Sequence, residues 1–210
     1  MASTSAVTRV IEAVGPHRLV GAVVAGFKRG SKQLGWPTAN LDPKVFEHRF
    51  DDSTEGVYVG WAAINDPTLP AESRAVHKAV LSIGWNVRTA SLFHRRPLFY
   101  SHRFSIHQTP LFSSHAQPHF DDLKERTIEA YLCHDFGGRD FYDAEMRLLI
   151  CAFLRPQAKF ETFEALVEAI TTDVEFGKSA LDAPALAALA TDELFAVEPA
   201  AEPAAETQPP

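Results

Sequence analysis

The sequence predicts a mainly β domain, an antiparallel sandwich or small closed barrel, followed by one helix. Short β-like runs fill the first 155 residues, and turn-rich stretches of Gly, Pro, Asn and Asp separate them. No segment with helical periodicity lies between the runs, which disfavours βαβ units and a parallel sheet. At about 150 residues per domain, a chain of 210 residues is one domain with an insertion.

Five segments have the composition of strands, because they are rich in apolar and β-branched residues and bounded by turn residues. In chain order they are Leu19–Phe27, Gly56–Ile64, His77–Trp85, Thr127–His134 and Ala144–Arg155. A helix is expected from Thr162, a suitable N-cap with glutamates on both sides. Its apolar stripe, expected to face the barrel, consists of Phe163, Leu166, Val167, Ile170 and Val174.

The net charge of −7 is unevenly distributed. From Leu181 onward the chain has six carboxylates and no Lys or Arg, so the remainder is close to neutral. This balance disfavours nucleic acid and anionic membranes as partners. No apolar run approaches the roughly 20 residues of a membrane span, and the N-terminus lacks the layout of a secretory signal. We expect a cytoplasmic protein, with mitochondrial import left open by Arg9.

Two segments stand apart from the expected barrel domain, which covers residues 1–182. Residues 183–210 are rich in Ala, Pro and Glu, which predicts a disordered tail apart from a short helical turn around Leu186–Phe195. Residues 87–120 contain four arginines, five histidines and no acidic residue, and we interpret them as a basic insertion. Their spacings fit no zinc pattern. Cys133 and Cys151 are expected to be free thiols.

The stretch Gly26–Asn40 is the most informative about chemistry. Its glycines allow close backbone approach to a ligand, and Lys32 is one of three basic residues in the same loop. Such a loop suits phosphates, although a basic surface hairpin is the plainer alternative. The block Pro37–Asn40 then holds the oxygens of Thr38 and Asn40 two residues apart, on one side of an extended backbone. These are hard ligands of the kind that Mg²⁺ takes, unless Asn40 only caps its own turn.

Glu129 is the candidate for acid–base chemistry. In strand alternation Ile128 and Ala130 share one face, which leaves Glu129 on the other face with Thr127 and Tyr131. A carboxylate in this position is either exposed to solvent or lines a cleft.

Taken in order, these segments resemble the riboflavin kinase (flavokinase) family. The Pro37–Asn40 block is highly specific for it, whereas the other blocks are individually weak but correctly ordered. Those blocks are Gly56–Ala62, Ser82–Asn86, Glu129 near His134, Asp140–Tyr142 and Phe153–Pro156. The resemblance covers roughly residues 19–182 apart from the insertion.

The resemblance implies a six-stranded antiparallel Greek-key barrel with a C-terminal α-helix packed on it. It also implies a monofunctional, eukaryotic-type ATP:riboflavin 5′-phosphotransferase, which transfers the γ-phosphoryl of ATP to the ribityl 5′-hydroxyl of riboflavin to form FMN and ADP. Carried over by residue, the resemblance implies that Glu129 is the catalytic carboxylate. It also implies that Gly26, Lys32, Thr38 and Asn40 bind ATP and that Thr38 and Asn40 bind Mg²⁺ as well. Arg155 is expected near the flavin. Zn²⁺ is the alternative metal, and we expect a monomer with ATP and riboflavin as its partners.

The sequence departs from the family in two places. Ala130 and Tyr131 stand where relatives commonly have Thr-His, and the insertion lengthens the connection between Asn86 and Glu129. The sequence has three alternative interpretations. The first is a noncatalytic flavin- or nucleotide-binding barrel, which would not need the carboxylate of Glu129. The second is a bifunctional enzyme with an FAD synthetase, which needs more than the eighteen or so residues that precede the barrel. The third is an RNA-binding barrel, which needs a broad basic face that the near-neutral core lacks.

Overall fold

The computed structural model describes residues 7–26, 38–85 and 126–196. Lys32, the expected insertion 87–120 and residues 197–210 therefore lie outside the described residues. Six strands are present: β1 Glu12–Val24, β2 Ala39–Leu41, β3 Gly56–Asn65, β4 His77–Trp85, β5 Arg126–Leu132 and β6 Glu145–Arg155. Two helices follow them, α1 Phe163–Ala180 and α2 Pro184–Ala187.

The strands close into a barrel in the order β1-β2-β5-β4-β3-β6, and every neighbouring pair is antiparallel. Strands β3, β4 and β5 are successive neighbours, and β6 returns to lie beside β3, which is the Greek-key arrangement. This confirms the expected six-stranded antiparallel Greek-key barrel. Closure also pairs every strand on both sides, so the barrel has no open edge.

Strand alternation sorts the side chains of the barrel into two apolar layers. The interior layer includes the fully buried Leu19, Leu41, Ile64, Leu81, Ile128 and Leu148. The outer layer lies between the barrel wall and the C-terminal elements and includes Val59, Trp61, Val80, Leu149, Leu154 and Val174. All five strands expected from the sequence are present, and only the short β2 was not expected.

Helix α1 begins where the sequence predicts, and the Thr162 Oγ1 accepts a hydrogen bond from the Ala165 N–H at 3.1 Å. It packs on the barrel through its C-terminal half. A Cβ at Gly177 would lie only 2.8 Å from Val59 and 2.9 Å from Val80, so this glycine allows a close approach. The expected apolar stripe is only partly correct, because Phe163 at the N-terminal end is 46% exposed. No helix among the described residues is long and apolar enough to cross a membrane.

Residues 183–196 begin the segment for which the sequence predicts disorder apart from one helical turn, and they fold against the barrel wall. Leu186 is buried, and its carbonyl accepts a hydrogen bond from the Trp61 indole N–H at 2.9 Å. Asp192 accepts two hydrogen bonds from Arg18, at 2.8 and 2.7 Å. The helical turn expected around Leu186–Phe195 is present as α2 and two 3₁₀ turns. Composition alone did not reveal the apolar barrel surface that this segment covers.

A buried ion-pair cluster joins the N-terminal segment, the end of β6 and helix α1. Asp173 is 3% exposed and accepts hydrogen bonds from Arg155 at 3.0 and 2.6 Å and from Arg9 at 2.7 Å. Arg155 is itself 4% exposed. Buried charges are tolerated when they are paired and hydrogen-bonded in this way, and removing one partner leaves the others uncompensated.

Replacing the carboxylate of this cluster is expected to destabilise the fold. Asp173→Asn leaves the Arg155 guanidinium buried without its counter-charge, which costs about 3–5 kcal/mol of the free energy of unfolding. Urea denaturation measures this loss. The matched control is Asp182→Asn, because Asp182 accepts a 2.6 Å hydrogen bond from Lys78 but is 73% exposed at its side chain. The control should lose no more than about 1 kcal/mol, and equal losses would contradict the cluster's role.

Candidate active site

Three polar side chains form a row on the outer surface of the barrel. Asn40 of β2 lies opposite Glu129 of β5, and Glu129 lies opposite Ser82 of β4. The neighbours of each residue along its strand point into the core, since Ala39, Leu81 and Ile128 are 4% exposed or less. Directly opposed side chains have Cβ atoms about 4.5–5.5 Å apart. The fold therefore brings the expected metal-ligating amide next to the expected catalytic carboxylate.

Asn40 presents an acceptor that the described residues leave unused. Its Oδ1 atom is buried and has no hydrogen-bond partner among them. On the other side of the amide lies Gly26, where any Cβ would overlap the Asn40 side chain. A buried acceptor without a partner is costly, so this oxygen is suited to a cation or to a hydrogen-bond donor on a ligand. Gly26 is thus explained by the space that Asn40 needs.

A cavity of about 560 Å³ opens beside this row. Its lining includes Thr38 and Ala39, the end of the adjacent strand β5 and the loop that follows β5. The loop and helix residues at the cavity include Cys133, His134, Asp135, Phe136, Arg139, Asp140, Phe141, Tyr142 and Lys178. Thr38 lines the cavity and follows, in the sequence, the basic segment that contains Lys32.

Ala130 and Tyr131, the two residues of β5 that depart from the family pattern, point to opposite faces of the strand. Ala130 is 0% exposed and points into the barrel core, so it has no part in the site. Tyr131 faces outward on the same side as Glu129 and lines the cavity. Burial raises the pKa of Tyr131, and burial also raises the pKa of the neighbouring Cys133 thiol to about 11. Both side chains are therefore neutral at physiological pH.

Arg155 lies in the same register row as Glu129, three strands further along through Ser82 and Val57. At a strand spacing of about 4.8 Å, that separation is about 14 Å along the barrel surface. Its guanidinium donates to Asp173 and to the Pro156 carbonyl and lies 5.9 Å from the Phe160 ring. The side chain thus anchors the turn between β6 and α1. A flavin contact from Arg155 stays a prediction.

Comparison with known proteins decides the family. The Flavokinase family model, described as riboflavin kinase, matches residues 14–181. The chain belongs to the riboflavin kinase family. The riboflavin kinase of Mus musculus is 34% identical over 177 residues, which cover 84% of this chain and 88% of the mouse protein. The Homo sapiens riboflavin kinase is 32% identical over 182 residues, covering 87% and 92%.

Two further relatives agree with this family assignment. The Arabidopsis thaliana bifunctional riboflavin kinase/FMN phosphatase is 37% identical over 174 residues, and the match covers 83% of this chain but only 35% of the plant protein. The crystal structure of riboflavin kinase from Trypanosoma brucei superposes with a TM-score of 0.57 at 25% identity, covering 90% of this chain and 95% of that one. The barrel and its helix are therefore those of the family.

The sequence did not predict roles for Ser82, which lies in the outward row, or for Asp173, which pairs with Arg155. Ser82 belongs to a block typical of the family, and its place directly between the apolar Leu81 and Ile83, both buried in the structure, indicates an outward side chain. For Asp173 a signal exists, because a carboxylate directly before Val174, on the expected buried face of α1, indicates a buried ion pair. No local signal predicted that the loop after β5 would wall the cavity.

Next to the cavity, His77 makes stability depend on pH. Burial, and then the nearby His134, lower the pKa of His77. The unfolded chain therefore binds a proton more readily than the folded one, and stability present above about pH 6.5 is lost as the pH falls. Urea unfolding measures the free energy of unfolding at pH 7.5 and at pH 5.5. Between these two pH values, His77→Gln should lose less of this free energy than the wild type, by at most about 1.4 kcal/mol per pH unit. Identical pH dependence would contradict this assignment.

Proposed function

We propose that this chain transfers the γ-phosphoryl of ATP to the ribityl 5′-hydroxyl of riboflavin and releases FMN and ADP. The observation that carries the proposal is the outward row, in which Glu129 lies between Asn40 and Ser82 beside the cavity. Membership of the riboflavin kinase family supports the choice of substrates.

The cavity is the proposed site of ATP. Tyr131 lines it, and Glu129 lies two residues back along β5 on the same face, a distance of about 7 Å. A nucleoside in the cavity would thus direct its phosphates past Thr38 toward Glu129. We propose that Gly26 and Lys32 complete the ATP site, with the ammonium of Lys32 neutralising phosphate charge.

Glu129 is the proposed catalytic base. In the reaction a bond forms between the riboflavin 5′-oxygen and the γ-phosphorus, and the bond from that phosphorus to the β–γ bridging oxygen breaks, so ADP leaves. The hydroxyl proton passes to the Glu129 carboxylate. Phosphoryl transfer depends mainly on positioning and charge neutralisation, so the base orients the hydroxyl and accepts its proton late in the transfer.

Thr38 and Asn40 are the proposed metal ligands. The Thr38 hydroxyl and the Asn40 Oδ1 belong to alternate positions of the chain, which share a face in an extended backbone. The Oδ1 has no hydrogen-bond partner within residues 7–26, 38–85 and 126–196, and it fits a hard cation. Oxygen ligands favour Mg²⁺ over Zn²⁺. No group of three or more His, Cys, Asp and Glu side chains suited to a metal occurs in the part of the chain that the structure describes. Bound Mg²⁺ would supply charge neutralisation at the phosphates.

We propose that riboflavin approaches Glu129 from the side of Ser82 and the N-terminal half of α1. The exposed Phe163 ring offers apolar surface there, close in sequence to the Phe160 ring beside Arg155. Arg155 would then act on the flavin by holding the turn that carries Phe160. We also propose that the chain acts as a monomer in the cytoplasm.

The carboxylate of Glu129 can be tested by Glu129→Gln. The amide cannot accept the hydroxyl proton, so turnover should fall by about 10²–10⁴-fold while riboflavin binding is largely retained. Chromatographic detection of FMN from riboflavin and Mg-ATP gives turnover, and flavin fluorescence gives binding. The control is Glu193→Gln, because the Glu193 side chain is 85% exposed outside the site.

Wild-type turnover in Glu129→Gln would remove the assignment of the base. If the unmodified chain binds ATP or riboflavin but forms no FMN under varied metals, the noncatalytic binding barrel is the better interpretation.

The metal ligands can be tested by Thr38→Ala and Asn40→Ala. Each change removes one proposed oxygen ligand, so half-maximal ATP binding and half-maximal turnover should both need a higher Mg²⁺ concentration. Calorimetric titration of ATP at several Mg²⁺ concentrations measures the first effect independently of activity. Thr191→Ala is the control, since Thr191 is exposed and bonds only within its own turn. An unchanged Mg²⁺ requirement in both site variants would exclude this role.

A further inference from the structure

The His134 side chain in the cavity wall is held from behind by two residues that do not line the cavity. The imidazole of His77 stacks on that of His134, with ring centroids 4.1 Å apart and planes 14° apart. The Ser73 hydroxyl lies 3.0 Å from the Nε2 atom of His134. Both contacts restrict rotation of the ring about its Cβ–Cγ bond.

Ser73 is placed for this contact by the connection between β3 and β4. It lies in the 3₁₀ turn Ala71–Arg74, is 5% exposed, and its N–H donates to the Pro70 carbonyl at 3.0 Å. A serine hydroxyl can donate to an imidazole nitrogen or accept from it, so it suits either neutral tautomer of His134. Because Ser73 is buried and its hydroxyl contacts the His134 imidazole, it is suited to positioning that ring.

His77 supports the ring from β4. Its side chain is half-buried, and its Nε2 has no hydrogen-bond partner among the described residues. The stack therefore depends on ring contact rather than on a hydrogen bond through that atom. The lowered pKa of His77 keeps this ring neutral at physiological pH, so two cations do not face each other within the stack.

The stack continues into the aromatic part of the wall. The Phe136 ring is nearly perpendicular to the His134 and His77 rings, with centroid distances of 4.9 and 6.0 Å, and the Phe141 ring centroid lies 4.8 Å from that of Phe136. His134, Phe136 and Phe141 line the cavity, whereas Ser73 and His77 lie behind it. Flat rings held in a rigid wall suit the planar base of a nucleoside better than they suit a polyphosphate.

We propose that Ser73 and His77 are positioning residues that set the orientation of His134 toward the nucleoside part of ATP. This inference rests on the proposed use of the cavity by ATP. Without the two contacts the imidazole could turn about its broad Cβ–Cγ torsion, and binding would have to restrict that motion. Holding the ring in advance improves affinity for the nucleoside by lowering this ordering cost.

The test compares a ligand that has a base with one that lacks it. Calorimetry would give the Kd of ATP and of inorganic tripolyphosphate, both with Mg²⁺, for wild type, Ser73→Ala and His77→Ala. Each variant should weaken ATP binding about two- to tenfold, as expected for one lost hydrogen bond or ring contact. Tripolyphosphate binding should not change. His77→Phe preserves the stacked ring and should restore ATP affinity to near that of the wild type.

A matched control is available at Ser53, in the 3₁₀ turn Asp52–Thr54. Ser53→Ala also removes a serine hydroxyl that bonds to a side chain, the Asp51 carboxylate at 2.6 Å, but it lies away from the cavity wall. It should leave both dissociation constants unchanged. In the kinase assay, Ser73→Ala and His77→Ala should raise the KM for ATP. Their kcat and their KM for riboflavin should stay within about twofold of the wild-type values.

The outcomes separate this inference from the proposed function. Unchanged ATP affinity in Ser73→Ala and His77→Ala, or equal weakening of ATP and tripolyphosphate, would overturn the inference while leaving FMN formation intact. A chain that forms no FMN but loses ATP affinity selectively in these variants would retain the inference and lose the proposed reaction. Thermal unfolding of each variant identifies any that fail to fold, and His77→Phe then provides the remaining comparison.

Discussion

The pairing of β2 with its neighbours determines which side chains reach the candidate site. Strand β2 has only three residues, Ala39–Leu41, and its central residue lies opposite Val24 of β1 and Glu129 of β5. A slip of one residue would turn Asn40 into the barrel and Ala39 outward. The closed, apolar interior opposes that slip, because it would bury an amide without partners. The core thus holds the polar row in place.

The outer layer gives the site its rigid surroundings. Helix α1 approaches the barrel closely at Gly177, and Asp173 ties the same helix to Arg155 at the end of β6. The turn that contains Ser73 contacts the cavity wall through the hydrogen bond between Ser73 and His134. The cavity therefore lies between elements that are each fastened to the barrel, an arrangement suited to a reaction that depends on positioning.

Most elements of the fold could be predicted because their signals are local. The five longer strands and the N-cap of α1 are visible in composition and periodicity. β2 could not be, since three residues are too few for alternation to show. The exposure of Phe163 and the folding of the segment around Leu186 depend on which barrel surface each meets, and that is decided by residues distant in the chain.

The sequence by itself determined the chemistry available to this protein: a glycine-rich basic loop, the oxygens of Thr38 and Asn40, and one carboxylate in mid-strand. Only the tertiary structure decided that Asn40 and Glu129 are neighbours, that Arg155 is occupied by Asp173, and that His134 is held from behind. The reason is physical. Residue types and their spacing are local, whereas contact between distant residues depends on strand register and barrel closure, which the whole core sets together.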